Sequence, residues 1–315
     1  MSAAEIAQKL YTNTLIAGPM VRGSSHIFRV SCLNYGADVV FSPGLVDLAL
    51  ISANRKVEND HVILTSDSNG HESEIFRTCE TEKGKLVLQI VSNDSANAIK
   101  AYEKLAGEVV GVDLNCGCPE NFAVHRETGS AIQLETAVDI VKGLSRNTTK
   151  PVSVKFRIFP EDEKSIQFAQ AVESAGASAI TVHGRLKEQK HKGDVNYEKM
   201  KLVFDHVKCC KIGNGGVGSR EEAQKMKIET GCNAVMISSA ALLNPSVFNS
   251  EIRPEVDVLA EMAKVGKQHH IEFKSCKWSL QQVIQSKKSI SKSMSQPFNQ
   301  AQTWEEFDDI ILKHI

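Results

Sequence analysis

Eight short apolar runs, each closed by glycine, proline or a polar turn, constrain this chain more than any other feature. They are "TLIAGPM", "ADVVFSPG", "KLVLQIV", "VVGVDLNCG", "VSVKFRI", "AITVHGR", "CKIGNGG" and "AVMISSA". Most are rich in Val and Ile and apolar almost throughout, as expected of parallel strands buried on both faces. Helical segments lie between them, among them "SANAIKAYEKLAG", "LETAVDIVKGLSRN", "SIQFAQAVESAGA" and "SREEAQKMKIETG". Several end in Gly, a common helix stop. Strand and helix repeated eight times specify an α/β fold, a (β/α)8 barrel. A doubly wound sheet competes, but the polar residues with chemical potential fall at the C-terminal ends of most runs. A barrel gathers those ends around one mouth.

The 315 residues are long for a single core and fit a barrel plus a small second unit. From about residue 255 no strand-like run remains, and "PEVDVLAEMAKVGKQHH", "KWSLQQVIQSKKSISKSM" and "TWEEFDDIILKHI" read as helices. Residues 1–250 are therefore assigned to the barrel and 251–315 to a C-terminal all-helical domain. Net charge is −1, so a nucleic-acid contact needs a local patch rather than a global field. The lysine-rich stretch that includes Lys277, Lys287 and Lys288 offers one, with an ordinary solvated surface as the alternative.

The first residues lack a basic start followed by a long apolar run, and no stretch approaches the roughly 20 apolar residues of a membrane span. A cytosolic or nuclear address, with no membrane partner, is expected. The eight cysteines are then expected to be reduced. Neither Cys116-Gly117-Cys118 nor Cys209-Cys210 has the two-residue gap of a zinc ligand pair, so no metal is expected. A monomer is also expected.

Taken in order, the strand ends supply candidates for one site. Pro19 and Met20 form an apolar turn before Arg22; Gln89 presents an amide able to read donor and acceptor edges of a ring. Asn115 precedes Cys116 and Cys118, and the residues alone do not decide between the two thiols. Lys155 and Arg157 alternate on one side of the fifth strand. Lys155 suits either a buried carboxylate partner or positive charge beside the N1/O2 edge of a reduced flavin. His183, followed by Gly184 and Arg185, is either a satisfied core histidine or a cofactor or substrate contact. Asn214, Gly215, Gly216, Ser238 and Ser239 end the last two strands, where barrels commonly hold a phosphate.

These segments, with "FRTCE" at residues 76–80 and "AALLNPSVF" after the eighth strand, resemble the tRNA dihydrouridine synthase family. The similarity is closest to the eukaryotic branch that reduces a D-loop uridine at position 20. It runs with motifs in order from about Leu15 to Phe248. The resemblance implies a flavin mononucleotide (FMN) barrel, NADPH (or NADH) as reductant, and a helical domain that binds tRNA. It further implies hydride delivery to uracil C6 and a cysteine proton for C5. On the family's Asn-x-Gly-Cys-Pro motif that thiol is Cys118, and Cys116 takes the variable position. Pro19, Met20, Gln89, Asn115, Lys155 and His183 then contact flavin, Asn214 to Gly216 with Ser238 and Ser239 hold its phosphate, and Arg22, Arg157, Arg185 and the tail lysines meet tRNA.

The sequence departs from the family pattern in the loop after Pro119. Glu120 replaces a Lys, and "HRETG" at residues 125–129 replaces a Lys-Gly-Gly-Met-Gly stretch, so two glycines become Arg126 and Glu127. Ser239 stands where an Arg is common. Two other functions stay open: a flavin barrel acting on a small pyrimidine, like dihydroorotate dehydrogenases, or a catalytically weakened RNA-binding relative.

Overall fold

A computed structural model describes residues 1–68, 70–119 and 126–314. In chain order the strands are β1 (Leu15–Ala17), β2 (Val39–Phe41), β3 (Leu45–Val46), β4 (Asn54–Glu58), β5 (His61–Ser68) and β6 (His71–Cys79). They continue as β7 (Leu86–Val91), β8 (Gly111–Cys116), β9 (Val152–Arg157), β10 (Ala179–His183), β11 (Cys210–Asn214) and β12 (Ala234–Ile237). Parallel neighbours run β2-β1-β12-β11-β10-β9-β8-β7, and β2 pairs with β7 to close the ring. The eight apolar runs are the eight barrel strands, so the (β/α)8 expectation holds.

Period-two alternation sorts each run into two cores. Ile16, Phe41, Val87, Ile212, Ala234 and Met236 point inward, with Ala7 and Tyr11 of the helix Ala3–Tyr11 closing the N-terminal end of the barrel. Leu88, Val112, Leu114, Val154, Phe156 and Val182 face outward against Ala98, Ile140, Leu144, Val172 and Val203 of the surrounding helices. Burial on both sides is why the runs carry so few polar residues.

Between β2 and β7 the chain inserts an antiparallel sheet, β4-β5-β6, that the sequence pattern does not announce. β4 and the first half of β6 are exposed and mostly polar, and only β5 carries a short apolar run, Val62 to Leu64. A fully buried Arg29, on the helix His26–Asn34, clamps the insertion. Its guanidinium donates to Glu82 Oε1 (2.5 Å) and to the carbonyls of Ser24 and Arg77 (both 2.6 Å), and it lies 4.8 Å from the Phe76 ring centre.

Beyond residue 254 come the helices Glu255–Gln268, Phe273–Gln285, Lys288–Gln300 and Trp304–Leu312. Leu259, Met262, Leu280, Phe298 and Phe307 form their core, joined by Ile27 and Val30 of the helix His26–Asn34. The stretch read as one helix from Lys277 to Met294 is broken at Lys287, whose extended backbone (φ −125°, ψ 134°) carries its ammonium to Glu255, 2.8 Å away. Lys277 donates to the carbonyls of Asn299 and Ala301 at 3.0 and 2.8 Å. Lys267 pairs with Asp308 at 2.6 Å; among the described residues Lys274, Lys288, Lys292 and Lys313 are the exposed lysines of this region without such ties. Among the described residues no helix is long and apolar enough to cross a membrane.

Candidate active site

A cavity of about 630 Å3 opens at the C-terminal ends of the barrel strands. Pro19, Met20, Gln89, Asn115, Cys118, Lys155, Arg157, His183, Arg185, Asn214, Gly215, Gly216, Ser238 and Ser239 all line it. Arg22 is exposed outside the lining, and Lys277, Lys287 and Lys288 lie on the helical tail. The Glu120 and His125 substitutions fall outside the described residues.

A chain of side chains, of which Gln89 and Asn115 line the cavity, ends on the Cys118 loop. Ser153 Oγ donates to Asp113 Oδ1 at 2.6 Å, and Gln89 Nε2 donates to Asp113 Oδ2 at 2.8 Å. Asn115 Nδ2 donates to Gln89 Oε1 at 2.7 Å, while Asn115 Oδ1 accepts the backbone N–H groups of Gly117 (3.1 Å) and Cys118 (3.0 Å). Arg157 Nε donates to the Gly117 carbonyl at 3.0 Å from the other side. The loop is thereby held at both polar ends of one peptide unit. Arg157 also donates to Lys190 O at 2.9 Å, so its guanidinium is bound into the loops and not extended toward solvent.

The two thiols differ. Cys116 ends β8 with its side chain in the outer core, and burial pushes its thiol well above the usual range. Cys118 is half-buried and faces the cavity.

Lys155 is not a simple carboxylate partner, because the hydrogen bonds of Asp113 come from Ser153 and Gln89. Burial lowers Lys155 to about 8, aided by Arg157 and opposed by Asp113 and Cys118. Burial raises Asp113 to about 6, against the Ser153 and Gln89 hydrogen bonds and the charge of Lys155. His183 is not a satisfied core histidine either: its Nε2 is buried without a hydrogen-bond partner among the described residues. Burial first, then Lys155, Arg157 and Arg185, hold that ring neutral.

Beside it the backbone comes unusually near. A Cβ on Gly215 would sit 2.8 Å from His183 Cδ2 and 3.0 Å from Nε2, and the φ of +119° also requires glycine. Gly216 follows at φ +72°. Asn214 directs its amide to Met236 O (2.8 Å), joining the ends of β11 and β12 behind this turn. The result is a cleft with a cation, an acceptor-capable imidazole, a close-approaching glycine turn and serine hydroxyls, suited to a planar heterocycle bearing an anionic arm.

Sequence reasoning missed Asp113, although an acid inside an otherwise apolar run was a usable signal. It also missed Gly44, where a Cβ would stand 3.2 Å from Gln89 Oε1 and disturb the amide chain. Downstream of the cysteines, Glu127 adopts φ +54°, the left-handed region that the family pattern gives to glycine.

Comparison with known proteins follows the same lines. Residues 15–314 match the family model described as dihydrouridine synthase (Dus). The tRNA-dihydrouridine(16/17) synthase of Saccharomyces cerevisiae is 27% identical, with 100% of this chain and 76% of that protein covered. The tRNA-dihydrouridine(20) synthase of the same yeast is 29% identical, covering 78% and 69%. A 2-naphthoyl-CoA reductase structure superimposes with a TM-score of 0.50 at 11% identity over 75% of this chain and 49% of that one, a likeness of fold alone. A match across nearly the whole chain, on a barrel whose mouth carries the family's motifs, makes this chain a member of the dihydrouridine synthase family.

Proposed function

We propose that the protein is an FMN-dependent tRNA-dihydrouridine synthase that reduces the C5=C6 bond of a D-loop uridine, at position 20, with NADPH or NADH as reductant. The observation that carries this reading is the chain from Asp113 through Gln89 and Asn115, which fixes the Cys118 loop at the rim of the cavity. The fit of a flavin is supported by His183 Nε2, unpartnered among the described residues, the Gly215–Gly216 turn and Lys155 in the cavity lining. Lys155 would face the N1/O2 edge, Gln89 and Asn115 the polar ring edge, and Gly215, Gly216, Ser238 and Ser239 the phosphate. When bound, FMN supplies the hydride for C6.

Cys118 holds the proton destined for C5. A thiol in its neutral form carries that proton and can donate it as a general acid. Lys155 and Arg157 both feel the charge at Cys118, so they stabilise the thiolate left after donation. The target base lies inside folded tRNA and must be extruded into the cavity, which suits the open mouth and Arg22 and Arg185 near its rim.

The reading is tested by mixing flavin-loaded, reduced protein with uridine-containing tRNA, orotate or fumarate. Rapid oxidation by tRNA alone, with dihydrouridine found by mass mapping, is expected. Colourless protein that takes up no FMN overturns it, and oxidation by orotate alone points to a small pyrimidine.

Two further results are expected. Lys155 must be protonated to meet an anionic ring edge, and its pKa lies near about 8, so it is charged below that pH and neutral above. FMN affinity should therefore fall about tenfold per pH unit above that point, and Lys155→Met should flatten the profile. On the tail, Lys288→Glu with Lys292→Glu should weaken tRNA binding and reduce its salt slope by about one per lost phosphate contact. Unchanged binding assigns these lysines to an ordinary solvated surface.

A further inference from the structure

A second constellation lies at the seam of the barrel, the inserted sheet and the C-terminal helices. His26 begins the helix His26–Asn34, His61 begins β5, and Cys79 ends β6 directly opposite His61 in register. His269 follows the last turn of the helix Glu255–Gln268, with its carbonyl held by Arg77 Nη1 at 3.1 Å. One ligand-capable atom from each of the four lies within 4.8 Å of all the others. The three histidines are buried and Cys79 is half-buried.

The rings meet edge to face, at 84–89°, with centroids 5.1–5.4 Å apart. With Zn–N near 2.0–2.1 Å and the ring centre about 1.1 Å beyond the nitrogen, imidazoles at tetrahedral angles have centroids about 5.2 Å apart.

Partners on the outer side orient two of the rings. His26 Nδ1 donates to Glu82 Oε2 at 2.9 Å, and that carboxylate is held by Arg29. His61 Nδ1 donates to the Asn59 carbonyl at 2.6 Å. Such contacts fix the tautomer and aim the opposite nitrogen, as around metal-bound histidines. On the inner side His61 Nε2 lies 3.0 Å from His269 Nδ1, and Cys79 Sγ lies 3.7 Å from that same nitrogen. Hydrogen bonds among the four leave the cluster incomplete, because His26 Nε2 is buried with no partner among the described residues.

We propose that His26, His61, Cys79 and His269 bind one zinc-type divalent cation in a closed tetrahedral site that joins the three parts of the fold. Three imidazoles and a thiolate are a borderline-soft donor set that suits zinc and not magnesium or calcium. Four protein ligands leave no open position, so the role is structural. Binding releases the Cys79 proton to solvent and changes no oxidation state. The absence of metal expected from cysteine spacing considered only ligands adjacent in sequence; these come from three distant segments.

The test reads the metal and is independent of tRNA reduction. Full-length protein reconstituted with zinc chloride and dialysed should retain one zinc per chain by plasma mass spectrometry. Cobalt(II) in its place should give tetrahedral d–d absorption with a thiolate charge-transfer band. Cys79→Ser should abolish that band, Cys118→Ala should keep it, and Glu82→Gln should weaken zinc binding about 10–100-fold. Wild-type protein that retains no zinc, or whose cobalt form lacks the thiolate band, overturns the proposal. So does a Cys79→Ser spectrum identical to wild type.

Discussion

Cys118→Ala is expected to retain its flavin and to lose tRNA reduction by about 10²–10⁴-fold, the range for removing a positioned general acid. Cys116→Ala is expected to stay within a few-fold of wild type. A single residue, Gly117, separates the thiols in sequence, but the strand end separates their environments. Cys116 still follows the pleat of β8 and points into packing, whereas Cys118 lies past the strand in a loop fixed by Asn115 and Arg157. Single-turnover oxidation of the reduced protein by excess tRNA measures the step directly. Wild-type rates in Cys118→Ala would remove the thiol from the mechanism, and an inactive Cys116→Ala with an active Cys118→Ala would reverse the assignment.

Arg29→Met should destabilise the protein by about 3–5 kcal/mol, the cost of leaving a buried charge without its partner. Burial alone would raise the Glu82 carboxyl, yet Arg29 and His26 outweigh it and hold the group down at about 2. Removing the guanidinium strands that carboxylate and also the carbonyls of Ser24 and Arg77, which Arg29 serves. Denaturant unfolding measures the loss. Arg29→Met with Glu82→Leu should recover only part of it, since the two carbonyls remain unsatisfied. A single variant within 1 kcal/mol of wild type would show that the clamp contributes little.

The barrel was legible because its strands are buried on both faces and therefore print as apolar runs. The inserted sheet was not: β4 and the first half of β6 face water and carry Asn, Arg, Lys, Glu and Ser. "FRTCE" was visible as a motif, but nothing in it indicated a strand ending on a cysteine opposite a histidine. At the mouth, strand order alone located Gln89, Asn115, Lys155, His183 and Gly215 on one cavity. Register also put Arg157 beside Lys155, but it could not reveal that loop carbonyls capture the guanidinium. The tail shows the same limit. A count along the chain makes the lysines a patch, whereas folding brings Glu255 to Lys287, Asp308 to Lys267 and two carbonyls to Lys277.

The seam also sets an order of events during synthesis. Cys79 and His269 are 190 residues apart, so at 5–20 residues per second the last histidine leaves the ribosome roughly 10–40 s after the cysteine. For that interval Ile27 and Val30 lack the helical core that covers them, and three polar side chains face water. The C-terminal helices thus close this seam after the barrel and the inserted sheet have been made. A nascent chain stalled before them would hold a barrel with a sticky apolar edge, the state most exposed to chaperones and to misassembly.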